Sequence, residues 1–347
     1  RGGAPVVVLD KGKQNPVGDE KPNLGMLVNG GFQVQLKKDE FVENDHDCKV
    51  IDGYNMTSEK NGYGNGMTYL LDRPMQPTTN SVFGIMNGSD KYSEFFELCK
   101  FSLSADELEL MGQRDSTWTT ENNSEWKAEQ NKYRIFTATD VNPAEGEQLI
   151  RFFNNFRYTI YVPTNEALQK AYANGLPKPD EIHQFIIDNT VGANEEEGTL
   201  GTMPVDAQKK ALAMATMLVN FVKYHFQDES IYLDNVTEEN EFQTSCIDNE
   251  TSTYISLIVN QTNGAIQVTD KGKNKVQVIA PYNIFARDAN YNNTISSATA
   301  FKVTSFAVLH QIDGVLNFKP LENGRYDNDW KSAKKAEAFV KKYELRK

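Results

Sequence analysis

The side chains able to do chemistry in this sequence are few and scattered. Its four histidines are His46, His183, His225 and His310, and no two stand at the i, i+4 spacing with which a helix presents a zinc-binding pair. No transition-metal centre is expected, and no cofactor is implied. Asp45 and Asp47 flank His46 but lack the later glycine and glutamate of a calcium-binding EF-hand loop. No G-x-S-x-G elbow raises a serine nucleophile, and no Walker-type loop can be written through the glycines. The run Gly62 to Gly66 superficially resembles a nucleotide loop, but it precedes a strand-like segment, whereas phosphate is cradled where a helix opens. His225 lies close in sequence to Asp228 and Glu229, and a carboxylate can orient an imidazole as a general base. With no nucleophile in the neighbouring sequence, the preferred role for both His225 and His310 is a buried ring whose nitrogens satisfy backbone groups. No catalytic residue is therefore assigned, and the chain is expected not to be an enzyme.

The other candidate contacts are aromatic. Trp118 and Trp126 sit in a stretch of Thr, Asn, Glu and Gln, and Tyr282 and Tyr291 flank another polar segment. Aromatic rings on polar loops stack on sugars or anchor protein interfaces; equally, they form small clusters that pin long loops. Cys48, Cys99 and Cys246 are odd in number and lack metal-type spacing, which excludes a dense disulfide framework and leaves room for one bridge at most. Asn-x-Ser/Thr sequons begin at Asn55, Asn87, Asn122, Asn235, Asn249, Asn260 and Asn292, most of them expected as chance matches in so Asn-rich a chain.

The elements that must position these groups follow from periodicity. Residues 1–77 read as strands at Pro5 to Leu9, Gly25 to Val28, Phe32 to Leu36 and Gly66 to Leu71, with glycine-rich bends between them. Beyond Pro77 the period changes to that of a helix, with Val82, Ile85 and Met86, then Tyr92, Phe95, Phe96 and Cys99 sharing one apolar face. From about Phe101 to Glu147 the composition is polar, with one short strand expected at Tyr133 to Thr137. Tyr158 to Val162 reads as a strand closed by Pro163. Thr164 is a suitable cap for a helix from Asn165 to about Ala173, Glu166 complements its dipole, and Gly175 can end it. Leu212, Ala215, Leu218, Val219 and Val222 define a further amphipathic helix that delivers the chain to Tyr224 and His225. Strands follow at Ile255 to Val259, Ala265 to Thr269, Val276 to Ile279, Phe301 to Thr304 and Phe306 to Leu309, with Asn263-Gly264 as a hairpin turn. Asp313-Gly314 then turns the chain toward Val315 and Leu316. Near the end, Trp330, Ala333, Ala336, Phe339, Val340 and Tyr343 form an apolar stripe on a lysine-rich helix, expected to dock on its own domain or a partner in preference to a membrane.

Taken in order, the run from Tyr158 to Leu168, the Tyr224-His225 pair, the Val276 to Ile279 strand and the run from Ser305 to Leu316 resemble a fasciclin (FAS1) domain. The resemblance implies an α+β fold: a fasciclin-like β-wedge of two packed sheets with helices on one side, in a tandem arrangement whose first domain is incomplete. On that basis residues 1–77 are the strand-rich, C-terminal half of a first domain, because Asn65 to Pro74 resembles the family's closing strand. Residues 78–320 are a second domain with insertions at 101–157, 175–210 and 280–298, and 321–347 are a basic C-terminal helix. Pro163, Thr164, Tyr224, His225, His310, Asp313 and Gly314 match the family's motifs as structural positions.

Function by resemblance is extracellular or cell-surface binding and adhesion, through loops and insertions that contact a protein or a glycan. The large inserts and Asn/Tyr-rich loops resemble fasciclin-domain surface lipoproteins of Gram-negative bacteria. They imply as an alternative an accessory, ligand-capturing lipoprotein of an outer-membrane nutrient-uptake transporter, with the transporter or another surface lipoprotein as partner and a glycan or peptide as ligand. A hydrolase with an unrecognised site is the third reading. With 347 residues the chain has room for two modest domains or one with large insertions. The net charge of −12 argues against nucleic acid, whose binding needs a basic face. A mean hydropathy of −0.57 and the absence of any long apolar run leave no membrane span in the sequence. Starting at Arg1 without a signal or lipobox, the chain reads as a mature or trimmed product, anchored, on the lipoprotein reading, through a segment outside it.

Overall fold

The computed structural model describes residues 80–113, 129–138, 148–150, 157–194, 196–233, 239–262, 264–290 and 303–345, together with the strands between residues 7 and 71. Those early strands are β1 (Val7–Asp10), β2 (Lys13–Gln14), β3 (Gly25–Val28), β4 (Phe32–Lys37), β5 (Glu40–Val42), β6 (Cys48–Asn55) and β7 (Met67–Leu71), paired antiparallel in the order β2-β1-β3-β4-β5-β6-β7. The expected strands are present, and β2, β5 and β6 join them.

The second region begins with α1 (Val82–Asn87) and α2 (Ser93–Cys99). The Ser81 hydroxyl accepts the Gly84 N–H at 2.9 Å and starts α1. Val82, Met86, Phe95, Phe96 and Cys99 turn inward along the predicted apolar face. A short helix α3 (Ala105–Leu110) follows, with Ser104 and Glu107 closing a reciprocal capping box. A helical turn at 129–132 leads to the small pair β8 (Phe136–Ala138) and β9 (Gln148–Ile150). Residues 101–157 were expected as one polar insertion, but Phe101, Leu103, Leu108, Met111, Ile135 and Ile150 are buried in the main core. Average polarity across the segment hid isolated apolar residues that serve as core positions.

The central sheet is a closed barrel of β10 (Arg157–Pro163), β11 (Phe226–Asp228), β12 (Asn240–Asp248), β13 (Thr253–Thr262), β14 (Ala265–Thr269), β15 (Lys275–Asn290) and β16 (Val303–Ile312). Neighbours are antiparallel except β10 and β16, which pair in parallel from Arg157↔Phe306 to Pro163↔Ile312 and close the ring. The chain is thus a mixture of helices and strands, but where two packed sheets were expected the hydrogen-bond ladder is continuous and closed. Alternation along β13 and β14 turns Ile255, Leu257, Val259, Ile266 and Val268 inward. Thr262 pairs with Ala265, and Gly264 takes the positive φ of +72° that the expected hairpin turn requires; Asn263 lies outside the described residues.

The expected strand at 276–279 is the start of a much longer one. Residues 280–290 were read as an insertion, yet they continue β15 along β16. Between Ile279 and Ile284 the strand bulges while β16 advances only from Gln311 to Leu309, and Asn283 there adopts a φ of +56°. The two strands expected at 301–304 and 306–309 are likewise one, β16. At its end the chain bends at Asp313-Gly314, but Val315 and Leu316 form no return strand. Gly314 serves by close approach, since a Cβ there would lie 2.7 Å from the Val276 Cγ1.

Helix α4 (Asn165–Ala173) starts where Thr164 accepts the Ala167 N–H at 3.2 Å. It ends in a double C-cap: Gly175 N–H reaches the Tyr172 carbonyl at 2.8 Å and Leu176 N–H the Ala171 carbonyl at 3.0 Å. Gly175 makes this possible with a φ of +89°. The segment 175–210, read as an insertion, contains α5 (Pro179–Asp188), whose Ile182 and Ile186 join the core. Helix α6 (Val205–Tyr224) was expected to be amphipathic, but every residue from Ala213 to Tyr224 is buried. A helix enclosed on all sides is covered by neighbours on every face: α5, β12 and the C-terminal helix α7 (Ala333–Tyr343) pack on it. Ala336, Phe339 and Tyr343 of α7 are buried, and the Asn220 amide donates to the Tyr343 carbonyl at 2.8 Å. The basic C-terminal helix therefore docks on its own domain.

Candidate functional site

The motif residues converge where α6 meets the barrel. Helix α6 ends at Tyr224 with His225 as its C-cap. The His225 ring is fully buried; its Nδ1 lies 2.8 Å from the Phe221 carbonyl, and its Nε2 accepts the Leu316 N–H at 3.1 Å. A carbonyl only accepts, so Nδ1 carries the proton, and the ring ties the last helical turn to the bend after β16. Phe221 and Phe95 pack against it at centroid distances of 4.7 and 5.3 Å. Burial pushes its pKa down to about 4. Asp228, the imagined general-base partner, instead accepts the Glu229 N–H at 2.9 Å.

His310 uses the opposite tautomer. Its Nε2 donates to the Ile231 carbonyl at 2.7 Å, and its Nδ1 accepts the Asn283 N–H at 3.2 Å. The β15 bulge thus delivers a backbone donor to this ring, and burial holds its pKa down at about 4 as well. Tyr161 of β10 connects the two histidines. Its N–H donates to the His225 carbonyl at 3.0 Å, its ring stacks on His310 at 6.2 Å, and its hydroxyl donates to Gln227 Oε1 at 2.7 Å. The Tyr224 hydroxyl donates to the Ser256 carbonyl and accepts the Lys271 N–H, each at 2.9 Å. Asp313 N–H donates to the Gln277 carbonyl at 3.1 Å while Asp313 Oδ1 accepts the Gln277 N–H at 2.8 Å, fixing the start of β15 to the end of β16. Pro163 pairs with Ile312, and Thr164 N–H bonds the Ile312 carbonyl at 3.0 Å.

Sequence reasoning missed the nearby Asp270. This buried carboxylate accepts the Asn274 N–H, the Asn274 side-chain amide and the Asn317 N–H at 2.8 to 2.9 Å, and burial raises its pKa. Asn317 in turn accepts the Tyr326 hydroxyl at 2.5 Å. The Asp270-Lys-Gly-Lys-Asn274 spacing carried the local part of this signal, since Asp and Asn side chains close turns on nearby backbone; Asn317 lies too far along the chain to be read with it. A second unexpected group is Lys223, 7 % exposed near the end of α6, whose ammonium donates to the Lys132 carbonyl at 3.3 Å and is held by burial at a pKa of about 8. Cys99 and Cys246 are buried free thiols.

Of the aromatic candidates, Tyr282 lies in the β15 bulge, 39 % exposed. Trp118, Trp126 and Tyr291 lie outside the described residues. Among the described residues no cluster of three or more His, Cys, Asp or Glu side chains is placed to hold a metal ion, and no helix is long and apolar enough to cross a membrane.

No protein-family model and no curated protein matches the sequence. Among solved structures, the chain is similar to a FAS1 domain pair from the insect cell adhesion molecule fasciclin I, at 11% identity and a TM-score of 0.31, over 83% of this chain and 67% of that one. At that identity and score the likeness assigns neither an activity nor a partner.

Proposed function

We propose that the chain is a non-enzymatic binding or adhesion protein acting outside the cell or at its surface, with the barrel and its helices as a rigid scaffold for surface contacts. The observation that supports this most directly is the use made of the two motif histidines. Both nitrogens of His225 and of His310 are engaged by backbone groups, so neither ring has a lone pair or a proton left for a substrate. On this reading His225 and His310 serve the scaffold, and recognition falls to exposed segments, as it commonly does on rigid folds.

The reading is tested by labelling the chain fluorescently and measuring saturable binding to arrayed glycans and matrix proteins, alongside turnover of chromogenic ester and glycoside substrates. Saturable binding without turnover is the expected result. Turnover that disappears in a folded His225→Gln or His310→Gln variant would overturn it.

A further inference from the structure

The most exposed large apolar side chains among the described residues are Ile187 at 64 %, Val191 at 64 % and Val205 at 62 %. All three lie on the connection between the last turn of α5 and the first of α6. Ile187 sits in the last turn of α5, where its carbonyl accepts the Thr190 N–H at 3.1 Å, and Val191 follows directly. Val191 and Thr202 exchange both backbone hydrogen bonds, at 2.8 and 2.9 Å, closing a hairpin. Val205 opens α6 just beyond Thr202, within about 10 Å of chain. Gly201 locks the base of the hairpin, for a Cβ there would stand 2.8 Å from both the Val191 carbonyl oxygen and the Ala193 nitrogen, and its φ is +83°. Asn194 and Thr199 bond across the same hairpin at 2.9 Å, and the Asn194 side chain caps the Glu196 N–H at 3.1 Å. The apolar surface therefore rests on a braced support.

The connection that carries these residues is acidic, and the nearest cation, Lys209 of α6, stands near Asp206 and is itself bonded to Glu337 at 2.7 Å. From Ile187 to Asp206 the sequence contains no Lys or Arg, but it carries Asp188, Glu195, Glu196, Glu197 and Asp206. Asp188, Glu196, Glu197 and Asp206 are exposed. A large share of the net charge of −12 is thus concentrated in one short stretch. Exposed apolar groups with a polar rim mark interaction sites, and a rim of one sign selects its partner by complementarity. A second copy would bring the same carboxylates together, and an anionic membrane would be repelled.

We propose that Ile187, Val191 and Val205, rimmed by these carboxylates, form a docking surface for a basic partner protein that presents apolar side chains flanked by Lys or Arg. The proposal rests on the reading of the chain as a binding protein and assigns that reading a place and a partner chemistry.

The full chain, methyl-labelled at Ile and Val, is titrated with a synthetic amphipathic helical peptide bearing a leucine stripe and lysines, and with the same peptide carrying glutamates. The lysine peptide should shift the Ile187, Val191 and Val205 methyl signals. Its affinity should fall at least tenfold in 0.5 M salt, and by a similar factor in the Ile187→Ser/Val205→Ser and Glu196→Gln/Glu197→Gln variants, whose altered side chains are all exposed. Equal binding of the glutamate peptide, shifts spread over other surfaces, or unchanged affinity in the variants would overturn the proposal. Concentration-dependent self-association abolished by the same variants would also overturn it, assigning the surface to a second copy. Saturable array binding with no methyl shift here refutes this surface alone, whereas histidine-dependent turnover refutes the broader reading and leaves the peptide result to stand by itself.

Discussion

Acid should unfold this protein through its two buried histidines, and the size of the effect follows from their surroundings. Protonating His225 turns Nε2 from an acceptor into a donor facing the Leu316 N–H, and protonating His310 does the same to Nδ1 against the Asn283 N–H. In the folded chain both rings have pKa values near 4 because burial disfavours the cation, whereas an unfolded histidine titrates near 6.5. With the folded value depressed, the unfolded chain binds more protons between these limits, so stability is fully present above pH 6.5 and is lost as pH falls toward 4. Each ring contributes about 3 kcal/mol over that window, a slope of roughly 1.4 kcal/mol per pH unit. Urea unfolding between pH 7.5 and 4.5 measures the total, and carboxylates contribute to it as well. Comparison with His310→Gln, whose amide can replace the Nε2 donor, cancels the carboxylates and should flatten the slope by about one ring's share. Histidine-ring NMR should place the proton on Nδ1 of His225 and on Nε2 of His310. Rings titrating near pH 6.5, or an identical slope in parent and variant, would refute the reasoning.

His183 should behave oppositely. The Glu107 carboxylate bonds its Nδ1 and raises its pKa, so its stabilising contribution is full below pH 6.5 and fades as pH rises through the raised value, and NMR titration of Glu107→Gln should return the ring toward its ordinary range. Asp270→Ala strands the buried N–H of Asn317 and removes the acceptor of the partly buried Asn274 donors, and should cost about 2–3 kcal/mol in urea unfolding; a loss below about 1 kcal/mol would show that those donors find other partners. Gly314→Ala pushes a Cβ against Val276 and should destabilise by about 1–3 kcal/mol, with Val276→Ala in the same chain restoring most of the loss; additivity of the two substitutions would show that the clash is not the cause.

Legibility tracked the range of each interaction. The α4 helix was readable from both ends because its signals are local: Thr164 caps it and Gly175 releases it within a few residues. The hairpin that pairs Thr262 with Ala265 and the delivery of His225 by α6 were local in the same sense. The burial of Phe101, Leu103 and Leu108 was hidden, because short helices in polar sequence show too few turns to reveal a period. The continuation of β15 past Pro281 was hidden by a bulge that breaks strand alternation. At the motif site, the residue types drew attention to His225 and His310, but their partners Leu316, Asn283 and Ile231 come from distant segments. The exposure of Ile187, Val191 and Val205 has no signature in the sequence, since scattered aliphatics show no period.

The parallel pairing of β10 with β16 bears on how the chain is made. Partners such as Arg157 and Phe306 are separated by on the order of 150 positions, and contacts of such range slow folding because a long loop must close before they form. A ribosome releases β10 long before β16, so β10 must wait with one edge unpaired while every other strand of the barrel is synthesised. An unpaired edge is a template for pairing with another chain. The completed ring hides that edge, and the interval before closure is when the nascent protein is most exposed to strand exchange with its neighbours and most dependent on whatever shields it.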